Sequence, residues 1–183
     1  MKESISKFIT EGKALLWIKT NDFQEVERAM IESLNSLENK KFYIYEKGKT
    51  VNFLNDSIES GMDDLFNTLD ELYPQGIRKE PVILLIKDSV EEILENKNIE
   101  YIKEIAETKR DNPKYNLTII IVNNKKIPSQ LTTFSKYIKK SDLKNENNIK
   151  NYVIEMAQAE KINLTQKEIE SILNLLIKDI EEI

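Results

Sequence analysis

Four short apolar runs, separated by segments with helical periodicity, constrain the fold of this chain more than any other feature. The runs are Ala14–Lys19, Phe42–Tyr45, Val82–Ile86 and Leu117–Val122, with a weaker fifth at Tyr137–Lys139. They are rich in β-branched and aromatic residues and do not alternate with polar ones, which is typical of strands buried on both faces. We therefore expect Trp17, Tyr43 and Tyr45 in the core.

The segments between these runs carry apolar residues at three- and four-residue steps, which predicts amphipathic helices. They are Phe23–Leu37, Met62–Tyr73 and Ile99–Ala106. Asn21 and Asp22 are expected to cap the first helix, and Pro113 to stop the third. The segment Ser89–Glu92 is predicted to be a capping box that opens one short turn. Strands that alternate with helices indicate a mostly parallel five-stranded sheet with helices on both faces, a three-layer α/β fold.

The pattern becomes all-helical after residue 143. One amphipathic helix is expected around Ile149–Ala157, and a capping box at Thr165–Glu168 starts another. We predict an α/β domain at residues 1–143 and a helical, lid-like subdomain at 144–183. The last helix runs to Ile183 without a polar tail, so the chain is expected to be part of a longer protein.

Composition excludes several classes of chemistry. The chain has no cysteine and no histidine, which excludes disulfides, thiolate metal sites and catalytic pairs that depend on histidine. No apolar run approaches the roughly 18 residues of a membrane span, and no signal-peptide core is present, so a cytoplasmic location without membrane contact is expected. Twenty-four of the 27 basic residues are lysine, which favours an AT-rich bacterial genome.

Two segments are candidates for partner contact. Residues 125–144 hold six lysines and one aspartate, and such a run is more often a solvated face than a binding surface. The candidate contact residues there are Lys125, Lys126, Lys136, Lys139 and Lys140. Phe53 and Leu54 lie in a stretch without clear periodicity, and we predict an exposed apolar loop that docks a partner.

The order of strands and helices is that of the P-loop ATPases of the AAA class, so the phosphate-binding turn is expected after the first strand. That turn is Thr20-Asn21-Asp22-Phe23, which has neither a glycine for close backbone approach nor a lysine for phosphate charge. Asp22 would repel an anion. The segment Gly48-Lys49-Thr50 is a chance match to the end of a P-loop, because the first glycine would fall at Tyr43 inside a strand; we expect a hairpin or loop.

The other two nucleotide-handling positions are also degenerate. Asp88 follows the third strand where a metal-linked carboxylate would lie, but Ser89 replaces the adjacent catalytic acid, and the alternative for Asp88 is a helix cap or strand-end turn. Asn123 and Asn124 follow the fourth strand at the position of a phosphate-sensing residue, with turn formation as the alternative. No arginine follows Arg110. We expect no cofactor, metal or catalytic residue in this segment.

The chain resembles the N-terminal, non-catalytic domain of AAA ATPases of the plastid and bacterial Ycf type. The resemblance is carried by Lys13–Ile18 with Thr20, Gln24–Arg28, Val82–Asp88, the helix Glu100–Arg110, Leu117–Val122 and Ile127-Pro128 with Leu131. Where that family has an apolar-proline turn after the fifth strand, this chain reads Ile138–Leu143 without proline. The resemblance implies a regulatory or assembly segment followed by a true ATPase module, which would bind the ATP and Mg²⁺.

Three functions remain open from the sequence. The first is a non-catalytic AAA-like domain that binds a protein partner or self-assembles. The second is a clamp-loader-like scaffold subunit that acts near DNA through the lysines of residues 125–140 without hydrolysing ATP. The third is an enzyme that relies on carboxylates or on a lysine with a lowered pKa. The acidic pairs, however, lie on predicted exposed helix faces, where solvated charge is the simpler account.

Overall fold

A seven-stranded sheet organises the chain in the order β4-β3-β2-β5-β6-β1-β7. The strands are β1 Leu15–Lys19, β2 Lys41–Glu46, β3 Thr50–Asn52, β4 Ser57–Ile58, β5 Val82–Lys87, β6 Leu117–Asn123 and β7 Ser135–Lys139. The pairs β1–β6, β6–β5 and β5–β2 are parallel. The mostly parallel α/β sheet predicted from the apolar runs is confirmed.

The computed structural model describes residues 2–34, 40–139, 154, 157 and 165–172. The chain divides into two compact units, Met1–Ile138 and Lys139–Ile183. The first unit holds the α/β core. In the second unit, residues 166–172 are helical, and most of the predicted lid-like subdomain lies outside the described residues.

Two strands were missed, so the prediction of a five-stranded sheet is wrong. The chain turns back after β2 through Lys47 and Gly48, both with positive φ (47° and 74°). Glu46 and Lys49 exchange two backbone hydrogen bonds of 2.9 and 3.2 Å across this turn. β3 then pairs antiparallel with β2, and β4 pairs antiparallel with β3. They are too short to show a period in the sequence, although the expected hairpin at Gly48-Lys49-Thr50 is present.

In the described part of the first unit, five helices and two 3₁₀ turns accompany the sheet: α1 Lys2–Thr10, α2 Phe23–Leu34, α3 Leu65–Leu72, α4 Val90–Ile93, α5 Asn96–Asp111, and turns at Tyr73–Ile77 and Ser129–Leu131. Asp64 accepts a hydrogen bond from the Asn67 backbone at 2.7 Å and so starts α3. Pro74 then tightens the chain into the first 3₁₀ turn. None of the helices in the described ranges has the length and hydropathy needed to span a bilayer.

The side chains of the strands alternate between the two faces of the sheet, and helices cover both faces. On one face, Trp17, Tyr43 and Tyr45 pack with the apolar sides of α3 and α5 in one buried cluster. On the other, α1 packs on α2, which contacts β6, and these two helices bury Ile5, Phe8, Val26 and Met30 completely. The core placement predicted for the three aromatic residues is confirmed, as is the three-layer arrangement.

The two predicted capping boxes have different outcomes. At residue 165 the prediction is confirmed, because the Thr165 amide donates to the Glu168 carboxylate at 2.7 Å and the Glu168 amide lies 3.4 Å from the Thr165 hydroxyl. At Ser89 it is wrong, because that hydroxyl donates to the Lys87 carbonyl at 2.9 Å and makes no cap to α4. The positive φ of Asp88 (45°) explains this, since it turns the chain sharply just before Ser89.

Candidate functional site at the carboxyl edge of the sheet

In parallel α/β sheets, ligands bind beyond the carboxyl ends of the strands, where the strand order reverses. Here the reversal lies between β1 and β6. The chain leaves β1 through α2 toward β2 on one side, and returns from β6 past β1 to β7 on the other. The residues after β1 and β6 therefore line the crevice in which a nucleotide would bind.

The turn after β1 is closed by its own polar groups. The Thr20 amide donates to the Asn123 carbonyl at 2.9 Å, and the buried Thr20 hydroxyl accepts from the Asp22 amide at 3.0 Å. The Asp22 carboxylate accepts from the Glu25 amide at 3.0 Å and caps α2. A helix N-terminus attracts anions through its free amides and its dipole. Here a carboxylate of the chain itself takes that place.

The turn after β6 is also organised from within. Asn123 is fully buried, and its side-chain oxygen accepts from the Lys125 amide at 2.7 Å. The Trp17 indole donates to the Lys125 carbonyl at 3.2 Å. Among the described residues, the Asn123 amide nitrogen has no hydrogen-bond partner. Asn124 is exposed, so the structure brings only one of the two predicted asparagines into the crevice.

Lys87, at the end of β5, forms the centre of a charge cluster with Glu27 and Glu46, which we call the crevice cluster. Its ammonium lies 2.8 Å from the Glu27 carboxylate and 3.2 Å from that of Glu46. The lysine side chain is only 15% exposed. Burial lowers the pKa of Lys87, but the two carboxylates outweigh burial and hold that pKa above its ordinary value. The lysine is therefore a charged, fully engaged bridge between α2, β2 and β5.

Asp88 faces the β2–β3 hairpin. Its carboxylate pairs with Lys47 at 3.4 Å, and its amide donates to the Val122 carbonyl at 3.2 Å. Both side chains of the pair are substantially exposed, at 69% for Lys47 and 45% for Asp88. The structure thus gives Asp88 the strand-end turn that was the alternative to a metal-linked role.

The crevice cluster was not predicted from the sequence, because each turn after a strand was interpreted by itself. Lys87 was visible as a lysine that ends a buried strand. Glu27 lies one turn into α2 and Glu46 ends β2. Because carboxyl ends of neighbouring parallel strands meet at one edge, these three positions could have been grouped in advance.

The predicted partner residues lie in different places. Leu54, in the β3–β4 turn, is 56% exposed; Phe53 is 37% exposed, with its ring centroid 5.3 Å from that of the buried Phe42. Lys125 and Lys126 are exposed after β6, and Lys136 is half-buried in β7. The side chain of Lys139 and all of Lys140 lie outside the described residues. Since β4 and β7 are opposite ends of the sheet order, the apolar turn and Lys136 do not form one surface.

No protein-family model matches the chain, and no curated protein matches it. The chain is similar to one in the solved structure described as "Structure of Drosophila ORC bound to AT-rich DNA and Cdc6", with 10% identity over 95% of this chain and 72% of that chain and a TM-score of 0.44. A likeness at this level carries no argument about what this chain binds.

Proposed function

We propose that this chain is a non-catalytic, AAA-like domain that acts by binding protein and neither binds nor hydrolyses ATP. The proposal rests on one observation: the charged groups around the crevice between β1 and β6 are already paired within the chain. Asp22 caps the helix that would receive phosphate, and Lys87 is held between two carboxylates. A triphosphate would have to displace these internal partners.

Electrostatics supports the same conclusion. The carboxylates at the carboxyl edge are those of Asp22, Glu27, Glu46 and Asp88, and the lysines paired there are Lys47 and Lys87. Like charges in a partly desolvated crevice disfavour an anion, and separating the lysines from their partners adds a desolvation cost. Neither a glycine-rich turn nor an unengaged lysine offsets these costs in the β1–α2 turn.

Calorimetric titration of the intact chain with ATP and Mg²⁺ tests this proposal, with ADP as a parallel ligand. We expect no binding heat and no ligand-dependent rise in thermal stability. If the dissociation constant were on the order of 10 µM, ATP at roughly 1 mM would stabilise the fold by about 2.7 kcal/mol. Such a rise, or saturable heat in the micromolar range, would contradict the proposal.

The resemblance to Ycf-type ATPases supports a finer proposal about the parent protein. In that arrangement the ATP and Mg²⁺ belong to a module C-terminal to residue 183, and the present domain regulates or assembles it. A downstream G-x-x-x-x-G-K-[ST] sequence in the reading frame would support this. A cytoplasmic, bacterial setting belongs to the same proposal. The alternative of a DNA-associated scaffold stays a prediction.

A further inference from the structure

Four aromatic rings form a continuous column on the face of the sheet covered by α3 and α5. The ring centroids of Phe66 and Tyr101 lie 5.4 Å apart, those of Tyr101 and Tyr73 5.7 Å, and those of Tyr73 and Tyr115 5.6 Å. The first two pairs are stacked, with interplanar angles of 26° and 24°. The column begins at half-buried Phe66 and ends at fully buried Tyr115.

Hydrogen bonds hold the rings of this column in place. The Tyr101 hydroxyl donates to the Asp70 carboxylate at 2.6 Å, and the Tyr115 hydroxyl donates to the Tyr73 carbonyl at 2.8 Å. Because two χ angles define each ring, and because these hydrogen bonds hold Tyr101 and Tyr115, the rings of the column are preorganised. A ligand that stacks on them loses little of its binding free energy to ordering the protein.

The outer end of the column forms the floor of a groove between α3 and α5, with a volume of about 530 Å³. Four carboxylates line this groove, those of Asp70, Glu100, Glu104 and Glu107, together with Lys97 and Lys103. Lys103 is paired with Glu100 at 3.0 Å, and Lys97 with Glu95 at 3.4 Å. In the described part of the chain, no cation lies within ion-pair distance of Glu104 or Glu107.

A cation of the chain itself already lies over the aromatic end of the groove. The Lys97 ammonium lies 5.4 Å from the centroid of the Phe66 ring, within the range of a cation–π contact. A planar guanidinium is better suited than an ammonium to this setting, because it stacks on an aromatic face and still donates in-plane hydrogen bonds to carboxylates. Glu104 and Glu107 are one helical turn apart on α5, so both can face the same ligand.

We propose that this groove, which we call the α3–α5 groove, binds an arginine-bearing segment of a protein partner. One guanidinium stacks on the outer face of Phe66 in place of the Lys97 ammonium, and a neighbouring basic side chain of the segment pairs with Glu104 and Glu107. Glu100, seven positions before Glu107, extends the acidic row to roughly 10 Å along α5 at 1.5 Å per residue, which suits a peptide with more than one basic side chain. The inference rests on the proposed protein-binding role and names the chemistry of the partner.

Fluorescence anisotropy with the intact chain tests the inference, using a short labelled peptide that carries paired arginines and an otherwise identical lysine peptide. We expect the arginine peptide to bind at low salt and the lysine peptide to bind at least about fivefold more weakly. The double substitution Glu104→Gln with Glu107→Gln should weaken arginine-peptide binding about tenfold, and Phe66→Leu should remove most of the preference for arginine.

A matched control is Glu80→Gln with Glu91→Gln, which removes the same charge at two exposed positions outside the groove. It should leave binding within about twofold of the parent. Absence of arginine-peptide binding at low salt, equal affinity for the lysine peptide, or equal loss in the control pair would each overturn the inference. None of these results bears on the ATP titration, so the two proposals fail separately.

A second copy of this chain is the alternative occupant of the α3–α5 groove. The chain has three arginines, Arg28, Arg78 and Arg110, and all are exposed. Light scattering on the parent and on the Glu104→Gln, Glu107→Gln variant measures self-association directly. We expect the same mass for both. If the parent is a dimer that dissociates in the variant, and the peptide fails to bind, the occupant of the groove is a second copy of the chain and not a segment of another protein.

Discussion

The crevice cluster and the α3–α5 groove both bring carboxylates and lysines together where secondary-structure elements meet, but they use those charges differently. In the crevice, Lys87 bridges two carboxylates and is only 15% exposed. In the groove, Glu104 and Glu107 have no ion-pair partner among the described residues. In the crevice the charges hold three secondary-structure elements together, whereas in the groove Glu104 and Glu107 are not held in ion pairs among the described residues.

This difference indicates which region can bind a ligand. A ligand that enters the crevice must first separate partly buried ion pairs, and breaking such pairs costs several kcal/mol when one partner is left uncompensated. A cation that enters the groove meets the exposed Glu104 and the half-buried Glu107 and separates neither from a paired lysine. Its cost is therefore small, and its gain comes from stacking and charge-assisted hydrogen bonds. Three substitutions break or sharpen this comparison.

The largest expected effect is that of Gly76→Ala, which attacks the buried end of the aromatic column. A Cβ at position 76 would lie 2.4 Å from a ring atom of Tyr115, and both residues are buried. The ring has no room to retreat, so we expect a stability loss of about 3 kcal/mol, at the upper end for overpacked cores. Urea unfolding measures the loss, and anisotropy should show weaker arginine-peptide binding because Tyr73 and Tyr101 shift with Tyr115.

Gly12→Ala is the control for that experiment. A Cβ there meets no atom within 4 Å, but the backbone has φ +66°, so the substitution isolates backbone strain of roughly 1 kcal/mol. If Gly76→Ala costs no more than Gly12→Ala, the column is not tightly packed against the 3₁₀ turn. The preorganisation of the groove would then lose its structural basis.

Lys87→Met is next in expected size and breaks the crevice cluster. Glu27 and Glu46 then face each other without a counter-charge, and because both are partly exposed (28% and 46%) we expect a loss of about 2 kcal/mol, below the range for fully buried pairs. Adding Glu27→Gln should restore part of the stability. Arginine-peptide affinity should stay unchanged; a parallel loss of affinity would show that the two regions are coupled.

Much of the fold followed from the sequence because the buried strands are long and uniformly apolar. The five predicted strands are in the sheet, and Asp22 and Thr165 begin helices as expected. The hairpin strands β3 and β4 were missed because three and two residues are too short for a period to appear. The groove was missed because its two aromatic residues come from different helices, α3 and α5, and only the tertiary fold stacks Phe66 on Tyr101.

The smallest effect concerns the inner side of α5, where Lys109 places a buried ammonium against β6. Its ammonium donates to the Leu117 carbonyl at 3.0 Å and to the Thr118 hydroxyl at 2.7 Å. Among the described residues it has no carboxylate partner, and burial lowers the pKa of Lys109 to about 8. The lysine is therefore opposite in character to Glu104 and Glu107 on the outer side of the same helix.

The depressed pKa fixes the direction of a pH effect. Between the folded pKa of about 8 and the ordinary lysine value of about 10.4, the unfolded chain binds more protons, so stability rises with pH in this window. From about pH 7.5 to 9.5 we expect a rise of about 1.5 kcal/mol in the free energy of unfolding, measured with urea. The tyrosines whose pKa is raised in the fold act in the opposite direction, because they lower stability as the pH rises toward and beyond 10, where tyrosine ionises in the unfolded chain. Lys109→Met should remove the rise and leave arginine-peptide binding unchanged.

Two outcomes would contradict this prediction. A pH-independent stability in the parent chain would mean that the two hydrogen bonds hold the ammonium charged despite its burial. A rise that persists in Lys109→Met would assign the effect to another group.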